Sequence, residues 1–360
     1  MLITYYILTF LLFLFTILPK IPSSHWVFRV PDFGKIQITV ITILVFIAGF
    51  FIPKNEYSWY LQALLLIILI YHGITLIKYT PLYPVKKHTR TSHSSKKINF
   101  ISANVYQFNK EYDRFIHLIK RKNPDVFLTM ESNGDWEKAM QTLEKDYPFH
   151  HKVTLENTYG MHLYSKIKIE NSKTHYFVAE DLPSIEAHLK TEDGYEFVFF
   201  GVHPPPPSPT EEETSKERDG DILSVAKRVK EIKIPVIVVG DFNNVAWSKS
   251  SILFRKTSEL IDPRIGRAFI STFHAKYKLF RFPIDLMFHS EEIFIEELKA
   301  LENFGSDHFP VYCEFYIDEV NNKQKDQIEK ADAEEKQKAE EMIQEGKEED
   351  GERDTVVTED

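Results

Sequence analysis

The chain has 360 residues with one cysteine and a net charge of −9. This length accommodates one large domain with additional segments, and the single Cys313 excludes an internal disulfide and a cysteine-rich zinc site. Residues 318–360 contain 17 acidic and 7 basic residues, so residues 1–317 are close to neutral. The overall acidity therefore excludes no class of partner for the folded body.

Three apolar segments open the chain, at residues 2–18, 36–52 and 59–77. Each approaches the ~20 residues that cross a bilayer as a helix. The first segment lacks the basic start and the cleavage site of a signal peptide. Aromatic residues lie near the segment ends, as in an interfacial belt: Trp26, Tyr57, Trp59, Tyr60 and Tyr79. We therefore predict a membrane domain, residues 1–78, with three transmembrane helices; a buried helical domain is the alternative.

Basic residues in the short loops predict the orientation of these helices. The first loop contains Lys20, Arg29 and Lys35, and the second contains Lys54. The third segment is followed by six basic residues: Lys78, Lys86, Lys87, Arg90, Lys96 and Lys97. The positive-inside rule places the amino terminus outside and everything after the third helix in the cytoplasm. Residues 79–97 are then a basic juxtamembrane linker, and the lipid bilayer is a partner.

Residues 98–317 alternate between apolar runs of strand length and amphipathic helical stretches. The run 235–239, bounded by Pro235 and Gly240, is typical of a strand that is buried on both faces. A helical stripe precedes it, with Ile222, Val225 and Val229 at helical spacing. This alternation predicts an α/β domain.

The tail, residues 318–360, is rich in Glu, Lys and Gln and contains few apolar residues. Such a composition does not supply a core. We expect a tail that is disordered or dynamically helical.

Polar residues follow several predicted strands, at the edge where open α/β sheets place their ligand sites. They are Asn104, Glu131, His203, and Asp241 with Asn243. Asp285 lies inside an apolar strand, where a carboxylate is costly unless it is paired, and Asp307 and His308 precede the last strand. Most of these residues alone are weak signals: Asn104 also fits a cap, Asp241 with Asn243 a turn, and His203 the start of a rigid loop.

Taken in order, these motifs resemble the endonuclease/exonuclease/phosphatase superfamily. The matching stretches are Ser102-Ala103-Asn104, Thr129-Met130-Glu131-Ser132, Gly201-Val202-His203, Gly240-Asp241-Phe242-Asn243, Ile284-Asp285-Leu286 and Gly305-Ser306-Asp307-His308-Phe309-Pro310. The resemblance covers residues 97–317. It implies a catalytic domain, residues 98–317, folded as a four-layer α/β sandwich: two packed mixed β-sheets flanked by helices.

The resemblance also implies roles for the site residues. Glu131 would bind a divalent metal, with Asn104 and Asp307 completing or supporting that site. Mg²⁺ is the expected ion because it prefers oxygen ligands, with Mn²⁺ as the alternative.

The remaining implied roles concern the substrate and the attacking water. His308, oriented by Asp285, would be the general base. Asp241 would position the water or handle a proton, and Asn243 would hold the phosphate. His203 would bind the scissile phosphate or assist the leaving oxygen.

The motifs predict the chemistry better than the substrate. A membrane-anchored nuclease is the first hypothesis, and a phosphodiesterase or phosphatase for phospholipids or small phosphoesters is the second. An inactive membrane adaptor is the third. The basic residues near the predicted site that could contact nucleic acid, or could form a solvated loop, are Arg264, Arg267, Lys276, Lys278 and Arg281.

Overall fold

The structure is a computed structural model that describes residues 1–53, 55–86, 90, 94–351 and 353–358. Lys54 and Lys87, two of the basic residues used to predict the orientation, lie outside these residues. The amino-terminal part contains four helices: α1 (Leu2–Ile17), α2 (Val30–Phe33), α3 (Lys35–Ala48) and α4 (Ser58–Leu76).

Two of the three predicted spans have the length and composition to cross a membrane. These are Leu2–Lys20 and Ser58–Tyr79, each counted with its short 3₁₀ extension. The middle segment differs from its prediction, because α3 ends at Ala48 and has 14 residues. It is preceded by α2, which meets it at an angle of 67°. Gly34 lies at the break between the two helices.

The body contains eleven strands and four further helices among the residues that the structure describes. The strands are β1 (Ile98–Asn104), β2 (Val126–Met130), β3 (Phe149–Val153), β4 (Met161–Ser165), β5 (Lys168–Tyr176), β6 (Pro183–Lys190), β7 (Glu196–Val202), β8 (Val236–Asp241), β9 (Asp285–His289), β10 (Ile293–Ala300) and β11 (Val311–Ile317). The helices are α5 (Tyr112–Lys122), α6 (Gly134–Met140), α7 (Lys216–Glu231) and α8 (Lys249–Ser258).

The strands form two mixed sheets. One has the order β10-β11-β1-β2-β4-β3 and the other the order β5-β6-β7-β8-β9. Each sheet contains one parallel pair, β1 with β2 and β7 with β8, and the other pairs are antiparallel. The carboxyl ends of each parallel pair therefore point in one direction.

The main core lies between the two sheets. Phe100 and Leu128 of the first sheet pack there with Phe199 and Ile237 of the second. The outer face of the first sheet is covered by α5 and α6, and that of the second by α7 and α8. These four layers confirm the predicted α/β sandwich.

The acidic tail differs from its expectation, because part of it belongs to the fold. Helix α9 (Ala333–Glu348) begins with a capping box at Asp332 and packs against α7. Ala339 and Ile343 are buried in the core cluster over the second sheet. The tail has few apolar residues, but these two fall four apart and therefore share one face of the helix. The expectation that the tail supplies no core residues is thus corrected.

The amino-terminal helices contact the body directly. The loop between α1 and α2 contacts the region before α7: the Ser215 N–H donates to the Ser24 carbonyl oxygen (2.8 Å). At the end of α2, Trp247 Nε1 donates to the Asp32 carbonyl oxygen (2.8 Å). Beyond α4, Tyr79 packs edge-on against Trp247. The end of α1, the start of α3 and the end of α4 therefore lie on the same side, against the body.

Candidate active site

Four predicted site residues lie where the strands of the two parallel pairs end. Asn104 and Asp241 are the last residues of β1 and β8, and Glu131 and His203 directly follow β2 and β7. Asn104 joins the two sheets, because its Nδ2 donates to Glu131 Oε1 (2.8 Å) and lies 3.2 Å from Asp241 Oδ2. The packing of the two sheets thus brings four motifs, far apart in sequence, to one edge.

A close backbone approach fixes the position of Asp241. A Cβ atom at Gly240 would lie 1.9 Å from the Val202 carbonyl oxygen, so β7 and β8 approach each other only with glycine there. The Asp241 N–H lies 3.0 Å from Met130 Sδ. Asp241 is 1% exposed, and its Oδ1 accepts a hydrogen bond from the Asn243 N–H (2.9 Å).

His308 lies between two carboxylates. Its Nδ1 donates to Asp285 Oδ2 (2.8 Å), and its Nε2 lies 3.5 Å from Asp241 Oδ2. All three side chains are buried. Burial alone would lower the pKa of His308, but the charges of Asp285 and Asp241 outweigh it and raise the pKa to about 10. His308 is therefore a cation at neutral pH when nothing else is bound nearby.

His203 approaches the same carboxylate from the second sheet. Its Nε2 lies 4.0 Å from Asp241 Oδ2, and its Nδ1 has no hydrogen-bond partner among the described residues. Burial lowers the pKa of His203 to about 4, so the ring is neutral. The ring packs against Tyr159, with 5.3 Å between the ring centroids. A buried ring nitrogen without a partner is a position that a bound ligand can satisfy.

Glu131 lies in the left-handed region with φ +60°, which turns the chain at the end of β2. Its Oε1 accepts from Asn104, and its Oε2 accepts from the Gln107 N–H (3.1 Å). Burial and the charge of Asp307 raise the pKa of Glu131 to about 8. Burial and the neighbouring carboxylate disfavour the charged form of Glu131, and a divalent cation would offset both effects. Glu131 and Asp307, with Asn104 beside them, therefore fit a cation chemically.

A different group satisfies a purely geometric test for metal binding. Of the residues that the structure describes, Asp241, Asp285 and His308 form the one set of three whose ligand atoms all lie within 4.8 Å of one another. Asp285 and His308 already share a hydrogen bond between Oδ2 and Nδ1. Because this hydrogen bond is the interaction that the structure shows within the set, the set is better explained as an acid–histidine–acid arrangement.

Asn243 completes the predicted set on the β8 side. It lies in the left-handed region with φ +46°, and its Nδ2 donates to the Pro204 carbonyl oxygen (3.0 Å). The side chain is thereby linked to the residue that follows His203. The structure brings all eight predicted residues to the same edge of the sandwich, and six of them line one pocket: Glu131, His203, Asp241, Asn243, Asp307 and His308.

Several residues around this pocket were not predicted from the sequence. Gln107 binds Glu131 through its backbone, and its side-chain Oε1 accepts from the Thr158 N–H (2.9 Å). Tyr159 packs against the His203 ring, and none of the sequence motifs indicated it. Residues of α2 and α3 also line the pocket. Their apolar sequence indicates a membrane helix and carries no signal of a site.

Residues 101–308 match the Endonuclease/Exonuclease/phosphatase family. This match covers more than half of the chain, which therefore belongs to that family. Its members are hydrolases that act on phosphoester bonds and depend on divalent metals. The resemblance seen in the motifs is thus confirmed. A comparison with curated proteins finds no match.

Solved structures with the same fold come from several organisms. An endonuclease/exonuclease/phosphatase family protein of Bacteroides thetaiotaomicron is 20% identical with a TM-score of 0.52, over 63% of this chain and 97% of that chain. TDP2 of D. rerio, complexed with a single-strand DNA product, is 16% identical with a TM-score of 0.52, over 61% and 99%. The mannosyl-6-phosphatase of Bacteroides thetaiotaomicron is 20% identical with a TM-score of 0.50, over 61% and 99%. At these identities the likeness concerns the fold.

Proposed function

We propose that this chain is a membrane-anchored, divalent-metal-dependent phosphodiesterase. The observation that supports this most directly is the contact between His308 and Asp285, with Asp241 on the other side of the imidazole. A histidine held between two carboxylates can accept a proton from water and stabilise the resulting charge. Its position in a pocket beside Glu131 and Asp307 supplies a place for a phosphate and a cation.

The metal would be held by Glu131 and Asp307, with Asn104 supporting them. Mg²⁺ is the proposed ion and Mn²⁺ the alternative, since both accept carboxylate and amide oxygens. When bound, such an ion polarises a phosphoryl oxygen and offsets negative charge.

The other residues act on the water, the phosphate and the leaving group. The water oxygen forms a bond to phosphorus while the bond from phosphorus to the leaving oxygen breaks. One proton of the water passes to Nε2 of His308, and the Asp285 carboxylate stabilises the imidazolium. Asp241 orients the water through its free lone pairs, and Asn243 holds a phosphate oxygen. His203 donates from its ring to the phosphate or to the leaving oxygen.

The raised pKa of His308 constrains this assignment. A base must be neutral before it accepts a proton, whereas His308 is a cation at neutral pH in the metal-free protein. Positive charge beside Glu131 and Asp307 opposes the imidazolium charge and lowers its pKa toward the working range.

The first hypothesis for the substrate is a nucleic acid, and the basic residues on the surface near the site support it only weakly. Arg264 of the proposed basic cluster is 2% exposed and is held by Asp262 in a paired hydrogen bond. Arg267 is exposed, and it donates one hydrogen bond to the Ile295 carbonyl oxygen (2.7 Å). Arg281 donates to the Ala275 carbonyl oxygen (3.0 Å) and packs over Phe309. Of the five residues, Arg267, Lys276 and Lys278 are exposed and left to meet phosphates of a nucleic acid.

The membrane anchor is proposed as three spans, with the body on the cytoplasmic side. Two helices, or three if the bent pair counts as one span, support this by length and composition. The basic residues at the ends that face the body, including Lys20, Arg29 and Lys78, support the orientation. A reporter at the carboxyl terminus that is active only outside the cell would contradict it.

The proposed function is tested with the full-length protein in detergent micelles and bis-p-nitrophenyl phosphate. We expect hydrolysis with Mg²⁺ and none with EDTA. The substitution His308→Ala lowers kcat by around 10²–10⁴, as for a lost general base, whereas His117→Ala on the exposed surface of α5 does not. A metal-independent rate would contradict the proposed metal dependence, and no hydrolysis of this or any other phosphodiester would favour the inactive adaptor.

A further inference from the structure

The pocket that contains His308 continues between the body and the amino-terminal helices. It is a cavity of about 930 Å³. One end is lined by the acids and histidines of the site. The other end is lined by apolar residues of α1, α2 and α3: Phe15, Val30, Phe33, Gly34, Ile38 and Ile41.

Ring contacts and one backbone pairing connect the two ends. The Phe273 ring lies 4.8 Å from the His308 ring, measured between centroids. The backbone of Phe273 pairs with that of Phe282, whose ring packs edge-on against Phe33 at 6.3 Å. Three phenylalanines thus lead from the proposed general base to α2.

The apolar end of the pocket extends along the membrane segment. Ile41 lies six residues after Lys35, the first residue of α3, which is about 9 Å along the helix axis. Its side chain is 45% exposed. In a bilayer this surface of α3 meets hydrocarbon chains, so the cavity opens toward the region that those chains occupy.

The rim of the pocket on the body has the character of a membrane-contacting segment. Tyr277, Leu279 and Phe280 are 59%, 79% and 65% exposed, and exposed lysines lie among them at positions 276 and 278. Gln37 in the first turn of α3 donates to the Leu279 carbonyl oxygen (3.1 Å), so this segment lies at the level where the helix begins. Exposed aromatic and apolar residues with adjacent lysines are typical of contact with a lipid headgroup region.

We propose that the substrate is a membrane lipid phosphodiester, with its phosphate at His308 and one hydrocarbon chain between α3 and the 277–280 segment. This inference rests on the proposed phosphodiesterase function and specifies its substrate. The phosphate of a bilayer lipid lies just outside the hydrocarbon region, and the site adjoins the start of α3 at that level. Lateral diffusion delivers the substrate through the open side of the cavity. Hydrolysis adds one water across the phosphorus–oxygen bond, as described above.

The charge of the pocket favours a lipid over a nucleic acid. Among the described residues that line it, Arg353 is the one lysine or arginine, and its guanidinium pairs with Asp181, Glu212 and Glu217. A nucleic acid brings phosphates on both sides of the scissile bond, and these need cationic partners. A lipid phosphodiester has one phosphate and an apolar chain, which match the two ends of the cavity.

The test compares two esters with the same leaving group, p-nitrophenyl methyl phosphate and p-nitrophenyl hexadecyl phosphate, in micelles that contain the full-length protein and Mg²⁺. Each methylene transferred from water to an apolar groove contributes about a fourfold factor. We expect kcat/KM for the hexadecyl ester to exceed that for the methyl ester by at least 100-fold.

Partition of the long ester into the enzyme's own micelle also raises its rate, so two pairs of variants separate binding from partition. Ile41→Trp fills the groove, and Ile43→Trp alters a residue of α3 that is equally exposed but lies outside the cavity. Phe280→Ser removes a residue of the pocket rim, and Tyr176→Ser removes an exposed aromatic residue of β5 that does not line the pocket. The first member of each pair should lower the hexadecyl-to-methyl ratio at least tenfold, whereas its control should not change it.

Equal kcat/KM values for the two esters, or equal ratios in all four variants, would overturn the lipid assignment and leave the phosphodiesterase function standing. A single-stranded oligodeoxynucleotide hydrolysed with a higher kcat/KM than the hexadecyl ester would also overturn it, in favour of a nuclease. If neither ester is hydrolysed in a metal-dependent manner, the proposed function fails, and the lipid assignment fails with it.

Discussion

Asp285 and His308 are 23 residues apart in sequence, yet Asp285 Oδ2 accepts a hydrogen bond from His308 Nδ1 at 2.8 Å. Asp285 is the first residue of β9, and His308 precedes β11, which belongs to the other sheet. The pair thus spans the two sheets at the edge where the site lies. It orients the imidazole so that Nε2 points toward Asp241.

Replacing Asp285 with asparagine should lower kcat strongly while the protein stays folded. Asparagine fits the same space, but it neither stabilises an imidazolium nor fixes the tautomer that leaves Nε2 free to accept a proton. We expect a loss of around 10²–10⁴ in kcat on bis-p-nitrophenyl phosphate. The pH–rate profile should also shift to lower pH, because His308 loses one of the charges that raise its pKa. A variant with wild-type kcat and an unchanged profile would refute the orienting role.

Replacing Glu131 with glutamine should weaken the binding of the metal. The amide keeps one oxygen ligand but removes the negative charge that a divalent cation offsets. We expect the Mg²⁺ concentration at half-maximal activity to rise at least tenfold. Glu170→Gln, on the exposed surface of β5, is the matched control and should leave this concentration unchanged. An unchanged value for Glu131→Gln would argue for a metal at Asp241, Asp285 and His308 instead.

The free energy of unfolding should fall in acid partly because of His289, which lies outside the site. This side chain is 2% exposed, and burial lowers its pKa to about 4, with Arg267 lowering it further and Asp262 opposing. The unfolded chain binds a proton near the ordinary pKa of about 6.5. Between these two values the unfolded state binds more protons, so stability is fully present above pH 6.5 and is lost as the pH falls toward 4.

For one residue this loss is about 3 kcal/mol. The free energy of unfolding, measured by thermal or denaturant unfolding, should therefore fall less steeply between pH 7 and pH 4 for His289→Gln than for the wild type. His203 and His162 are also buried and have lowered pKa values, so part of the pH dependence of stability remains in both proteins. Identical slopes would show that His289 is not neutral in the folded state.

The docking of α9 predicts that the tail contributes to stability. Ile343 is 6% exposed against the cluster over the second sheet. Replacing it with alanine should lower the free energy of unfolding by roughly 2–5 kcal/mol, the usual cost of such a truncation in a core. Gln344→Ala, on the exposed side of the same turn, is the control. Equal stabilities for the two variants would indicate that α9 is undocked in solution, as its composition suggested.

The layers of the fold and the position of the site could be predicted from the sequence because their signals are local. Strands buried on both faces are continuous apolar runs, and β8 is one of them. Asn104, Glu131, His203 and Asp241 each follow such a run, so parallel strand pairs suffice to bring their side chains to one edge. The order of the motifs identified the family, and with it the proposed role of each residue.

The burial of other residues depends on contacts between segments that are far apart in the sequence, and no local sequence pattern predicts such contacts. Ile343 is one of few apolar residues in an acidic segment, and only the surface offered by α7 buries it. Ile41 has the sequence context of an ordinary membrane helix, and only the docking of the body against α3 makes it part of a cavity that contains His308. The sequence by itself therefore determined the fold class and the reactive groups, because strand periodicity and motif order are encoded over a few residues. The tertiary structure decided what surrounds those groups, because that depends on which distant surfaces pack together.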